Sequence, residues 1–293
     1  MADKKIYSFT NEIDAVEVCA LGAEIEISVY DEECITAEYE NPADKPEFCA
    51  VLCGKRLTLK ESATLSIFQK KPEGEYKITI KLPRKKFYEL KIKTTSGNVT
   101  IPAELEAENF TLVTASGASE VNGKFDSIKI KSASGSVNLC GGTENTAKTL
   151  DITSVSGSIT TDRSADQFSL SNVSGHIEYT NAKGSGNVAV TSGGVDITYA
   201  QWTDDLKISA VSGKVNAYLP ENSGADIEFD AVSGKVKTNL GSKSGDILNL
   251  GKGTHGQFGG SNIHKVNVSL VSGTVSVLQC SENTTNEVFT EEK

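Results

Sequence analysis

One pair of residues recurs along this chain at a nearly fixed distance. Ser-Gly pairs end at Gly97, Gly117, Gly135, Gly157, Gly175, Gly193, Gly213, Gly234 and Gly273. The steps between them are 20, 18, 22, 18, 18, 20, 21 and 39 residues, the last about two periods. Three further pairs, ending at Gly186, Gly224 and Gly245, fall outside the series. A period of this size marks an architecture in which each unit is completed by its neighbours.

Offsets counted from each glycine give the local structure. Seven residues before it stand Leu90, Phe110, Ile128, Leu150, Phe168, Leu206, Ile227 and Val266. Five before it stand Ile92, Leu112, Ile130, Ile152, Leu170, Ile208, Phe229 and Val268, with mostly polar residues between the two sets. This alternation is that of a strand with one buried face. Two after the glycine come Val99, Val137, Ile159, Ile177, Val195, Val215, Val236 and Val275, with Ser119 the exception. Inward offsets are odd before the glycine and even after it, so the chain turns a corner at Ser-Gly. Glycine is expected there for a positive φ. The residue two before it (Ala133, Val155, Val173, Val211, Val232 or Val271) is expected to fill the inside of the bend. Coils stacked at roughly 4.8 Å would pair their strands and align the corner serines as a hydroxyl ladder. The expected fold is all-β: a single elongated β-solenoid of stacked coils with Ser-Gly corners.

Two copies are irregular. At Gly193, the pair Val188 and Val190 stands two residues closer to the glycine than in other copies, which predicts a tighter or displaced corner. Between Gly234 and Gly273 one corner is missing, and a glycine-rich run from Gly251 to Gly260 takes its place. Five residues separate Gly245 from Gly251 and a glycine follows Lys252, so the run lacks phosphate-loop spacing. It reads as a loop carrying an altered coil.

Charge is segregated before the repeats begin. Residues 1–53 carry a net −10 and residues 54–93 a net +8. Residues 24–47 and 55–86 are expected to lie together, with opposite charges on facing strands. The competing reading is a basic patch at Arg84, Lys85 and Lys86 for an anionic envelope surface. The organisation expected is divergent N-terminal coils and a cap over 1–89, regular repeats over 90–278, and a polar tail over 279–293. No apolar run follows the first residues, which predicts a chain without a signal peptide, hence cytoplasmic, and no stretch is long enough to span a membrane. The six cysteines lack framework spacing and are expected to be free thiols. The three histidines share no ligand spacing, so no metal or cofactor is expected. The whole-chain charge of −10 argues against nucleic acid.

Equal offsets on stacked coils bring ladders of polar residues together. Asp205 and Asp226 both lie eight before their glycines. On consecutive coils their carboxylates would stand one strand spacing apart, near the separation of retaining glycosidases. Lys207 and Glu228 share another offset, which suggests a salt bridge, and Lys214 and Lys235 share a third.

The pattern apolar-x-apolar-x-x-Val-Ser-Gly-x-Val, over residues 206–215 and 227–236, resembles the bacterial putative-adhesin family of β-strand-repeat domains. The Lys81-Leu82-Pro83 segment and the glycine-rich turn before the last Ser-Gly are also similar to it. The resemblance covers roughly residues 10–278. It implies a β-solenoid with roles in adhesion or envelope stress sensing and carries over no catalytic residues. The expected function is therefore a non-catalytic binding or scaffold protein, its partner a protein, glycan or envelope component. The alternatives are a polysaccharide-active β-helix enzyme built around Asp205 and Asp226, or a self-assembling filament.

Overall fold

The computed structural model describes residues 3–41, 47–62, 76–141, 146–242 and 246–280. The expected polar tail over 281–293 lies outside the described residues, as do parts of both charged blocks. Every regular element among the described residues is a strand, and the strands form two sheets of 13 and 14 strands. Each coil lays its pre-glycine strand in the 13-stranded sheet and its post-glycine strand in the other. Lys124–Ser132 and Ser136–Leu139, joined through Gly135, are one example.

Parallel pairing keeps equal offsets in line. Leu112, Ile130, Ile152, Leu170 and Val188 follow one another across neighbouring strands. The apolar residues seven and five before the glycines and two after them are buried, and the two sheets enclose them as one core. A single coil has nothing to cover that face, and stacking removes it from water.

The corner works differently from the expectation. Among the nine glycines of the series only Gly117 has a positive φ, at 105°. The others are required because their coils approach too closely for a side chain. A Cβ on Gly157 would lie 2.2 Å from the Gly135 carbonyl oxygen, and one on Gly175 2.2 Å from that of Gly157. These carbonyls are in use. The amides of Ser136, His176, Gly194 and Lys214 donate to the oxygens of Gly117, Gly157, Gly175 and Gly193 at 3.0–3.2 Å. The corner serines form no hydroxyl ladder. Each donates its hydroxyl to a backbone carbonyl of the adjacent coil, Ser134 to Ala115 at 2.9 Å and Ser156 to Ala133 at 3.1 Å. The residues two before the glycines do not fill the bend either. Val155, Val173, Val211, Val232 and Val271 are 44–74% exposed, because the strand keeps its alternation until after this position.

The Gly193 coil is regular after all. Val188 pairs with Leu170 and Val190 with Asn172, so register is unbroken. Gly186 takes the place of the apolar residue seven before, and the Phe168 ring occupies its space, 2.2 Å from where a Cβ would be.

Coils at both ends are out of sequence order. The strand Asn262–Leu270 lies between Leu206–Ala210 and Ser223–Ala231, and Thr274–Gln279 lies between Lys214–Leu219 and Lys235–Thr238. The glycine-rich run and the residues just before it contribute two strands, His255–Gly259 and Leu248–Leu250. They close the two sheets antiparallel, and the chain then returns inward as the penultimate coil. The other end does the same. Ala15–Ala20 lies between Arg56–Ser62 and Lys86–Thr94, and Glu24–Tyr30 between Lys77–Pro83 and Val99–Ile101. Antiparallel pairings close that end, Ile35–Asn41 followed by the edge strand Asp3–Phe9 on one sheet and Glu47–Cys53 on the other.

Candidate functional site

The inserted coil separates the two carboxylates that consecutive stacking would have joined. Lys265 pairs with Asp226, and the Lys265 amide donates to Asp205 at 2.8 Å. Asp205 and Asp226 are therefore two strands apart, roughly 9.6 Å, with Lys265 between them. Asp226 instead faces His255 at 3.5 Å. The same insertion puts Asn267 between Lys207 and Glu228, and Thr274 between Lys214 and Lys235. None of the three ladders forms as the sequence suggested.

Each member of the basic triplet faces a carboxylate. Arg84 Nε lies 3.0 Å from Asp31, Lys86 Nζ 2.9 Å from Asp126, and Lys85 Nζ 3.8 Å from Asp14. Lys85 also donates to the Ile13 carbonyl at 2.6 Å. Lys86 is held above its ordinary value chiefly by its hydrogen bond to Asp126. Around them Lys77 pairs with Glu26, Lys55 with Glu12 and Asp14, and Lys91 and Lys93 with Glu17. Glu24–Tyr30 and Lys77–Pro83 are hydrogen-bonded neighbours.

A polar cluster on the 14-stranded sheet sets His176 Nε2 3.4 Å from Asp196, which accepts from Asn216 Nδ2 at 2.5 Å. Ser158 is in register with His176, yet no hydrogen bond joins them among the described residues, so the set lacks an activated nucleophile. No group of three or more potential metal-binding side chains occurs among the described residues.

The best-formed concave surface is a groove along the outer face of the 13-stranded sheet. One wall is the exposed row two before the glycines: Val155, Val173, Thr191, Val211, Val271 and Val232 in spatial order. The floor is the row four before: Thr153, Ser171, Ala189, Ser209, Ser269 and Asp230. All of these except Val155 line a volume of about 600 Å³, with Lys252 at its Asp230 end. It meets, at Thr153, a second one of about 550 Å³ that continues past Ala133 and Lys131 to Lys93 and Leu21. Small floor residues beside valines make the depression, because every row has the same backbone height. Lys93 is paired with Glu17, whereas Lys131 has no ion pair among the described residues.

Residues 13–278 match the family described as Toastrack DUF4097. The chain belongs to that family. Solved structures similar to this Toastrack chain include a putative adhesin from Parabacteroides distasonis at 15% identity and TM-score 0.53, covering 94% of this chain and 97% of that one. A putative adhesin from Parabacteroides merdae is 13% identical with TM-score 0.52, covering 94% and 95%. A putative lipid binding protein from Parabacteroides distasonis is 17% identical with TM-score 0.51, covering 95% and 97%. At these identities the likeness is one of fold. No curated protein matches the chain in sequence.

Two features of this Toastrack chain escaped sequence reasoning. The groove was written in the recurrence of Val two before the glycine and of Ser, Thr or Ala four before it, but the valines were assigned to the inside of the bend. Arg163 gave no signal. It is fully buried at the opposite corner, where its guanidinium donates to the carbonyls of Gly123 at 2.5 Å and Cys140 at 2.7 Å. It lies against Gly141, where a Cβ would fall 2.1 Å from Cζ. Burial pushes its pKa down, with Asp162 acting in the opposite sense.

Proposed function

We propose that this protein is a non-catalytic binding or scaffold protein of the putative-adhesin type, and that it engages its partner along the valine-walled groove. The observation that carries this reading is the exposed row Val155, Val173, Val211, Val271 and Val232, aligned along the solenoid axis beside a floor of small residues. The row is interrupted only at Thr191, and an exposed apolar patch of this kind is a common mark of an interaction site. Repeat proteins use extended lateral faces in this way. The names of the structural neighbours, putative adhesin and putative lipid binding protein, point to binding as well. The basic triplet Arg84, Lys85 and Lys86 offers less to a polyanion, because each cation already faces a carboxylate. The separation of Asp205 from Asp226 leaves the glycosidase reading without its pair.

Retention of defined ligands on immobilised protein tests the proposal. The panel is peptidoglycan, teichoic acid, acidic polysaccharide and lipid vesicles. Wild-type protein is expected to retain at least one of them, and the double variant Val173→Asp, Val211→Asp at least tenfold less. Equal retention by the variant would move the site elsewhere. Turnover of a polysaccharide that Asp205→Asn or Asp226→Asn abolishes would replace the reading with an enzyme.

A further inference from the structure

We infer that the groove holds a single long-chain fatty-acid carboxylate, its head at Lys131 and its tail running toward Val232. This rests on the groove being the binding surface and names what fills it.

The groove is polarised along its length. From the Gly135 coil to the Gly234 coil the floor reads Lys131, Thr153, Ser171, Ala189, Ser209, Ser269 and Asp230. Lys131, a cation without an ion pair among the described residues, stands at one end of this span, Asp230 and Lys252 both line the other, and small side chains fill the stretch between them. An anionic head is attracted to Lys131, whereas at the far end Asp230 offsets Lys252, so the Lys131 end is the favoured place for the carboxylate. Six strand spacings separate the two ends, about 29 Å, and the apolar wall from Val155 to Val232 covers five of these, about 24 Å. An acyl chain spanning one leaflet of a bilayer core reaches about 15 Å, and a fully extended one reaches further, so it lies within the wall. The wall is a single unbranched row because its residues come from stacked coils at equal offset. An extended hydrocarbon matches that shape over its whole length.

Other occupants fit less well. The floor strands are paired on both sides, so an extended peptide finds no free backbone to join. No aromatic ring lines either part of the groove, which leaves a sugar ring without a stacking platform. A second copy faces a conflict of symmetry. The two-fold axis that seats the valine row of each copy in the groove of the other runs along the solenoid, and it sets Lys131 opposite Lys131. The antiparallel arrangement that brings Lys131 to Asp230 sets wall against wall and leaves both grooves empty. A one-ended amphiphile escapes this conflict.

The test is calorimetric titration of the full chain, stripped of lipid, with palmitate below its aggregation threshold at low salt. Saturable one-to-one binding is expected. Lys131→Glu and Val211→Asp should each weaken it at least tenfold, while Lys214→Glu on the other sheet leaves it unchanged. Lys131→Glu should in turn bind a quaternary alkylammonium of the same chain length more tightly than wild type does. Octanoate should bind at least tenfold more weakly than palmitate. No saturable binding, octanoate binding as tightly as palmitate, or variants without effect would each overturn the inference. If palmitate fails while the double valine variant still loses a glycan or wall-polymer ligand, only the ligand class falls. If nothing is retained in either assay, the binding reading falls with it.

Discussion

At the scale of single residues, stacking imposes steric demands that differ sharply between glycines of one sequence. Gly157 faces a carbonyl oxygen 2.2 Å from its virtual Cβ, whereas nothing lies within 4 Å of Gly251. Backbone cannot yield as a flexible side chain does, so Gly157→Ala is expected to cost about 3 kcal/mol or more. Gly251→Ala is expected to change stability by less than about 0.5 kcal/mol. Urea denaturation of the two variants checks the contrast, and equal losses would mean that the coils are not packed through this column. Ser119 is the converse case. It occupies the apolar offset two after the glycine, is 3% exposed, and its hydroxyl has no hydrogen-bond partner among the described residues. Removing a buried unpaired hydroxyl stabilises, so Ser119→Ala should raise unfolding free energy by about 1 kcal/mol, less whatever the small cavity costs. A lower denaturation midpoint for that variant would show that the hydroxyl is satisfied after all.

At the scale of elements, the N-terminal strands are tied together by charge as well as by the core. Glu17 on Ala15–Ala20 sits between Lys91 and Lys93 of Lys86–Thr94, at 3.6 and 3.0 Å. Desolvation raises its pKa, but the two lysines outweigh that and hold it below the ordinary 4.5. A carboxyl depressed in the folded state contributes stability that is present above its unfolded pKa and is lost as pH falls through the folded value. Wild type should therefore lose more stability on acidification than Glu17→Gln, and the difference between them should close as pH falls through the folded pKa of Glu17. Thermal melts at pH 7, 5, 4 and 3 measure this, and parallel curves for the two proteins would contradict it. Asp126, held below 3.8 by Lys86 first and by Lys148, adds to the acid sensitivity in the same direction.

At the scale of the whole molecule, the two ends share one device. At each end the coil nearer the chain terminus in sequence lies inside one that is further from it, and antiparallel strands close the sheets. Coils near the chain termini are thereby paired on both sides, and three of the four sheet ends, Glu47–Cys53, Leu248–Leu250 and His255–Gly259, run opposite to the repeat. That closure opposes end-to-end growth into a filament. Hydrogen exchange offers a direct check. Amides of Asn262–Leu270 should exchange as slowly as those of Ala147–Ser154 in the middle of the rod. A last-in-sequence coil at the rod's end would instead fray and exchange fast. Fast exchange in Asn262–Leu270 would mean that it is not an interior strand.

Much of the fold was legible in the sequence, because burial in a stacked coil depends only on offset. Leu90, Ile92 and Val99 could be assigned to the core from alternation alone, and so could their equivalents in later copies, apart from Ser119 and Gly186. Opposite charge on Glu24–Tyr30 and Lys77–Pro83 was readable for the same reason: neighbouring strands present their outward residues side by side. The order of the coils was not legible. All copies carry nearly the same apolar faces, so Ser223–Ala231 and Asn262–Leu270 present equally good partners to Leu206–Ala210, and a periodic pattern cannot say which is adjacent. The return loop decides it, and with it the fate of Asp205 and Asp226. The corner glycines and the valine row were misread for a related reason. Their roles are set by distances to the neighbouring coil, such as the 2.2 Å left for a Cβ at Gly157, and a sequence of one coil holds no information about the gap to the next.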